Sequence, residues 1–253
     1  MIISFFEEFP TSTNLEKLKL INFPSKLYLA SSSLKEFLDL KKKINRKYNQ
    51  KNKIKEFVYW PILSKKEGYW ISPFSNRTAL NRILMKLNDQ TIPIMLDLEL
   101  PTTQNPILYL TQFFNFHQNK KMIKNFISDY RGTIYLAEYY PEGKWKERIL
   151  QFLGLHYSHP KVKIIKMIYH SLHHFNQEFI QTELKRGKNE FKDHFLIALG
   201  TIAPGIHGTE PRISLKQLQQ DLKIVKICGI KEAVLFRLGG LDKMYGKVLR
   251  KFV

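Results

Sequence analysis

The chain has 253 residues, 43% of them hydrophobic, enough to bury a large core, and no Pro-, Gly- or Ser-rich stretch separates two parts of it, so one domain over residues 1–253 is expected. Its net charge of +19 would suit nucleic acid, but only nine of its 41 basic residues are Arg, and lysines such as Lys41–Lys43, Lys51–Lys55 and Lys161–Lys166 are scattered as solvated faces would be. A lone Cys228 excludes an internal disulfide, the start MIISFFEEFP lacks the pattern of a signal peptide, and no segment reaches the roughly 20 apolar residues of a membrane span.

The first apolar run, Ile2–Phe6, is followed by Leu15–Leu20, which is short for a helix. Lys26–Ala30 precedes an amphipathic segment, Leu34–Lys43, that Ser33 can cap. Glu56–Ile62 leads to Arg77–Leu87, with Ser75 or Asn76 as cap, and Pro93–Leu98 leads to Asn119–Tyr130. Thr133–Glu138 is followed by Glu142–Leu153, and Val162–Tyr169 by Phe175–Arg186, which Gly187 can terminate. Phe195–Leu199 is followed by Leu215–Cys228, with Ser214 at its start and Gly229 at its end. Ala233–Leu238 and a short helix, Val248–Phe252, close the chain.

The eight short runs are nearly continuous in apolar residues, as strands buried on both faces are. Strands alternating with helices imply parallel pairing through right-handed crossovers, and eight such units in about 250 residues fit a single (β/α)8 TIM barrel. An open doubly wound sheet would carry a Gly-rich turn after its first strand, where this chain has Glu7-Glu8-Phe9-Pro10.

Barrels of this kind build their sites at the C-terminal ends of the strands. Strand one ends in Glu7 and Glu8, strand three carries Tyr59 and Trp60, and Glu67, Tyr69 and Trp70 follow it. Strand four ends Asp97-Leu98-Glu99-Leu100-Pro101, strand five Glu138-Tyr139-Tyr140, strand six Tyr169-His170 and strand eight Arg237-Leu238-Gly239-Gly240. Residues i and i+2 of a strand share a face, so Asp97 and Glu99 project together, and Glu138 is expected beside them. Two close carboxylates repel, which raises one pKa and keeps an acid protonated near neutral pH. The same acids could instead pair with Lys166 and Arg237. Trp60, Trp70, Tyr139, Tyr140 and Tyr169 would offer flat faces to sugar rings, or simply pack loops over the barrel.

Asp97-x-Glu99-x-Pro101 resembles the end of the D-x-D-x-E-x-P signature of chitinase-like glycoside hydrolases, and D-x-E also resembles that of barrel-type lysozymes. Met167-Ile168-Tyr169-His170 is similar to the M-x-Y-D of the chitinase family, with His in place of Asp. Met95 stands where the longer signature has its first Asp, Leu100 replaces an aromatic, no Trp ends strand eight, and strand one lacks the Asp of the lysozymes. The resemblance implies a TIM-barrel hydrolase with Glu99 as general acid, and Asp97 orienting a substrate acetamide that Tyr169 hydrogen-bonds. Glu138 would be a further electrostatic partner. Glu8, Trp60, Trp70, Tyr140, His170 and Arg237 complete the candidate substrate-binding set.

Three other readings stay open. Glu8, Asp97, Glu99, Glu138 and His170 could ligate a divalent metal, as in xylose-isomerase-like barrels, with His173 and His174 nearby. Lys166 resembles the reactive Lys of barrel-type aldolases, while Gly200, Gly239, Gly240 and Arg237 could form an anion site; Lys166 could equally pair with Glu138. The third reading is a non-catalytic nucleic-acid binder. The expectation is a cytoplasmic enzyme with a small-molecule or oligosaccharide substrate, no cofactor unless a divalent metal, no membrane or nucleic-acid partner, and an oligomeric state left open.

Overall fold

The structure is a computed structural model that describes residues 1–48, 53–139, 144–172 and 175–253. Eight strands close into a parallel barrel in the order β1 to β8. In chain order, β1 (Ile2–Glu7) leads to α1 (Ser12–Glu16), β2 (Ser25–Ser31) to α2 (Leu34–Tyr48), and β3 (Ile54–Pro61) to α3 (Arg77–Asn88). β4 (Ile94–Leu98) is followed by α4 (Leu108–Thr111) and α5 (Phe116–Asp129), and β5 (Ile134–Tyr139) by α6 (Lys144–Leu153). β6 (Val162–Ile168) precedes α7 (Gln177–Phe191), β7 (Phe195–Thr201) precedes α8 (Leu215–Ile227), and β8 (Glu232–Phe236) precedes α9 (Lys243–Leu249). The expected Tyr140, His173 and His174, and the first two residues of the helix expected from Glu142, lie outside the described residues.

Local chemistry sets several boundaries. Asn76 rather than Ser75 caps α3, accepting from the Ala79 amide, and Ser214 caps α8 by accepting from Gln217. Gly229 follows α8 with φ +69°, the left-handed conformation that glycine adopts without steric cost. Gly187 does not end its helix; α7 runs on to Phe191. A Cβ at Gly187 would lie 2.3 Å from the Phe195 ring, so this glycine admits a close helix–strand approach. Leu15–Leu20 divides into the end of α1 and a 3-10 turn, Lys17–Leu20. The last helix begins earlier than its apolar residues imply, because Asp242 accepts from the Met244 and Tyr245 amides.

Chain contacts group into two compact units, Met1–Ala30 with Leu38–Val58 and Ile164–Val253, and Ser31–Phe37 with Tyr59–Lys163. In the first, Glu232 of β8 is bonded to Ser4 of β1 at 2.7 Å, Tyr28 of β2 at 2.9 Å and Lys26 at 2.8 Å. Side chains two strands apart can meet this way only on the concave side of a curved sheet, which identifies the inner face. Residues in parallel register point to the same side, so Val234, Ala198 and Met167 share that face with Ser4. Ile3, Ala233, Ile197 and Lys166 share the opposite one.

In the second unit, Tyr59 stacks on Phe37 of α2 with centroids 5.1 Å apart, which fixes the helix-facing side of β3. Tyr59 is in register with Ile94, and Leu98 with Glu138, so these residues face the helices. Trp60, Met95, Asp97, Tyr135, Ala137 and Tyr139 alternate with them and lie on the inner side.

Candidate active site

The inner side of the second unit brings together part of the expected set. Asp97 is buried near the end of β4, and Glu99 lies just past it, half-buried and two residues on. Trp60 on β3 and Tyr139 on β5 stand on the same side of the flanking strands, Trp60 buried and Tyr139 partly exposed. The β4 end is held by the loop after β3, where the Ile71 amide donates to the Asp97 carbonyl at 3.0 Å. Ser75 Oγ donates to the Trp70 carbonyl at 2.7 Å, and Arg82 grips Glu67 with bonds of 3.0 and 3.1 Å. That guanidinium holds the Glu67 carboxyl below its usual range, with Ser64 assisting. Trp70 is buried edge-on against Tyr69, 5.4 Å between centroids, so it packs the loop rather than presenting an open face.

Glu138 is not beside Asp97. The register sets Asp97 against Ala137 and Glu138 against Leu98, turning Glu138 to the helix side. There His156 Nδ1 bonds its Oε2 at 2.7 Å, and His156 Nε2 is 3.8 Å from Glu147 Oε1. Both members of the short bond are buried. His156 lies in the loop between α6 and β6, where a lone His carries no sequence signal of a partner.

The expected residues of the first unit divide into two clusters. Glu7 accepts from the Phe9 amide at 2.9 Å, the Gly239 amide at 2.7 Å, Asn14 at 3.2 Å and Arg237 Nη1 at 3.2 Å. Burial pushes its carboxyl up, and Arg237 and the amides oppose that without cancelling it. Arg237 Nε also donates to the Pro204 carbonyl at 2.8 Å, and its guanidinium lies 4.9 Å over the Phe9 ring. The anion site expected around Arg237 and Gly239 is thus filled by the protein's own Glu7. Gly240 serves packing, since a Cβ there would lie 1.9 Å from the Ile202 carbonyl oxygen.

In the other cluster, His170 Nδ1 is 3.2 Å from Asp221 Oδ1, which also accepts from Gln217 Nε2 at 2.8 Å. Burial raises the Asp221 carboxyl, opposed by Gln217 and then by His170. Asp221 was legible in principle, because it sits among Leu218, Leu222 and Val225 on the buried face of α8, where an acid is out of pattern. Tyr169 lies just past β6 with its ring 6.0 Å from that of Phe236, and Glu8, buried, follows β1.

One alternative loses its geometric basis. Lys166 is buried on the face opposite Ser4 and Glu232, turned to the helices, which is not where a Schiff-base lysine would meet a substrate inside the barrel. Among the described residues no three His, Cys, Asp or Glu side chains are grouped to hold a metal ion.

No family model and no curated protein matches the chain. Solved structures share its fold. The glycoside hydrolase domain of PgaB (BpsB) from Bordetella bronchiseptica superposes with a TM-score of 0.54 at 10% identity, over 98% of this chain and 97% of that one. The spore cortex-lytic enzyme SleL from Bacillus megaterium gives 0.53 at 11% identity, covering 99% and 72%. A GH5-4 broad-specificity endoglucanase from Bacteroides salanitronis gives 0.52 at 10% identity, covering 96% and 85%. At such identities the likeness is one of fold.

Proposed function

We propose that the chain hydrolyses a glycosidic bond, with Glu99 as the general acid and Asp97 as its partner. The observation that carries this reading is Asp97 on the inner side of β4 near its C-terminal end, flanked by Trp60 and Tyr139 on the neighbouring strands, with Glu99 the first residue beyond the strand. The fold shared with carbohydrate-active hydrolases supports it, as does the D-x-E-x-P pattern.

The chemistry follows from these groups. The Glu99 carboxyl donates its proton to the glycosidic oxygen as the C1–O bond breaks, and the aglycone leaves as an alcohol. For a 2-acetamido sugar, the acetamide oxygen attacks C1 while Asp97 accepts a hydrogen bond from the acetamide N–H and stabilises the positive charge that develops. The Glu99 carboxylate then takes a proton from water, whose oxygen attacks C1 as the bond from C1 to the acetamide oxygen breaks, which restores the acetamide and releases the sugar as its hemiacetal. Tyr139, at the partly exposed end of β5, offers the sugar an apolar face.

Release of reducing ends from soluble β-linked oligosaccharides, with and without 2-acetamido groups, tests the reading. The native protein should cleave the acetamido substrates, Glu99→Gln should lower kcat by about 10³-fold or more, and Asp97→Asn by about 10²-fold. Each variant should unfold at the native temperature. A fully active Glu99→Gln, or no cleavage of any member of the panel by the native protein, overturns it.

A further inference from the structure

The connection from β4 to α5 ends in a segment whose apolar side chains point away from the core. Ile107 is 64% exposed, Leu110 79%, Phe113 65% and Phe114 89%, all within eight residues. Phe152 of α6, 66% exposed, extends the patch, since its ring is 6.3 Å from Phe116, the residue that opens α5. Burying such side chains away from water is favourable, so leaving several of them together in water marks a contact surface.

Along the segment itself the charge has one sign. From Leu100 to Ser128 the sequence contains no Asp or Glu, while Lys120, Lys121 and Lys124 follow the aromatics along α5. Lys121 and Lys124 are exposed. Lys120 is bonded to the Phe152 carbonyl at 2.7 Å, its ammonium 5.7 Å over the Phe152 ring. Arg77 Nη1 donates to Asn115 at 3.3 Å, beside Phe114, and Asn105 Nδ2 donates to the Lys66 carbonyl at 2.8 Å, bringing Lys66 to the other end of the segment.

We propose that this surface docks on an anionic lipid bilayer, with Leu110, Phe113 and Phe114 entering the interface and the lysines and arginine lying over the headgroups. Apolar side chains flanked by exposed lysines are what interfacial binding uses, because acyl burial and attraction to anionic lipid then add. A nucleic acid would have no use for Ile107 and Leu110, and protein interfaces are depleted in the lysines that flank this patch. No described helix is long and apolar enough to cross a membrane, so the contact is with the bilayer surface. The inference does not depend on the glycosidase reading, and its test does not use activity.

Co-sedimentation with vesicles of phosphatidylcholine alone, and of phosphatidylcholine with phosphatidylglycerol, decides it. The native protein should bind the anionic vesicles and bind the neutral ones at least roughly tenfold more weakly. The charge-neutral variant Leu110→Ser/Phe113→Ser/Phe114→Ser should lose roughly tenfold or more of the anionic-vesicle affinity. Equal binding by this variant would mean that the overall charge of the protein alone attracts the vesicles, and overturns the proposal. So does absence of native binding, including the case in which sedimentation velocity shows the native protein as a dimer and the variant as a monomer, which would give the patch to a second copy of the chain. Circular dichroism of the variant establishes that it is folded.

Discussion

Glu138 and Glu99 are both carboxylates next to the ends of adjacent strands, yet their surroundings differ. Glu138 is buried with His156 at 2.7 Å on the helix side, and leaving one partner of a buried hydrogen bond unsatisfied costs about 1–3 kcal/mol. Glu138→Gln should therefore lower unfolding free energy by about 2 kcal/mol in urea titrations and leave kcat within about threefold. A collapse of kcat at native stability would return Glu138 to the chemistry. At the other end of the same scale, Asp193 is exposed and bonded to Lys188 and Lys231, which lowers its pKa from 3.8 to about 2. A carboxylate depressed in the folded state contributes stability above its unfolded pKa and loses it as pH falls through the folded one. The thermal midpoint of the native protein should thus exceed that of Asp193→Asn at pH 5, with the gap closing between pH 3.8 and about 2. A gap that persists unchanged at the acid end would contradict the assignment.

Among the elements, α7 carries the clearest test of packing. Gly187 is buried under the Phe195 ring, and its missing Cβ sets how closely the helix approaches β7. Ala favours a helix over Gly by up to about 1 kcal/mol, but forcing a methyl group into a filled core costs about 1–3 kcal/mol. Gly187→Ala should come out destabilised by about 1–2 kcal/mol, and much less so in a Phe195→Leu background, as a double-mutant cycle would reveal. The same glycine shows where element boundaries were legible and where they were not. Asn76, Ser214 and Gly229 act through local hydrogen bonds or local backbone conformation, so the sequence around them was enough. Gly187 read as a helix terminator because the ring that explains it comes from a residue beyond the helix.

For the molecule as a whole, a net charge of +19 is a standing self-repulsion that compactness worsens and salt screens. Raising NaCl from about 0.02 to about 0.2 M should move the urea midpoint upward. A downward shift would mean that attractive surface pairs such as Lys47–Glu16 and Arg82–Glu67 outweigh the repulsion.

The sequence by itself determined the eight strands, their alternation with helices and the carboxylates near the strand ends, because parallel strands buried on both sides become unbroken apolar runs that end where the backbone emerges. It could not determine which side of each strand faces inward. With both faces apolar the period-two signal is lost, and a one-residue change of register exchanges one face for the other. Tertiary structure decided that Asp97 lies across from Ala137 while Glu138 turns outward to His156, that Lys166 faces the helices, and that Arg237 is engaged by Glu7. Of these, Glu7 and Arg237 are 230 positions apart, and only the pairing of β8 with β1 brings them into reach.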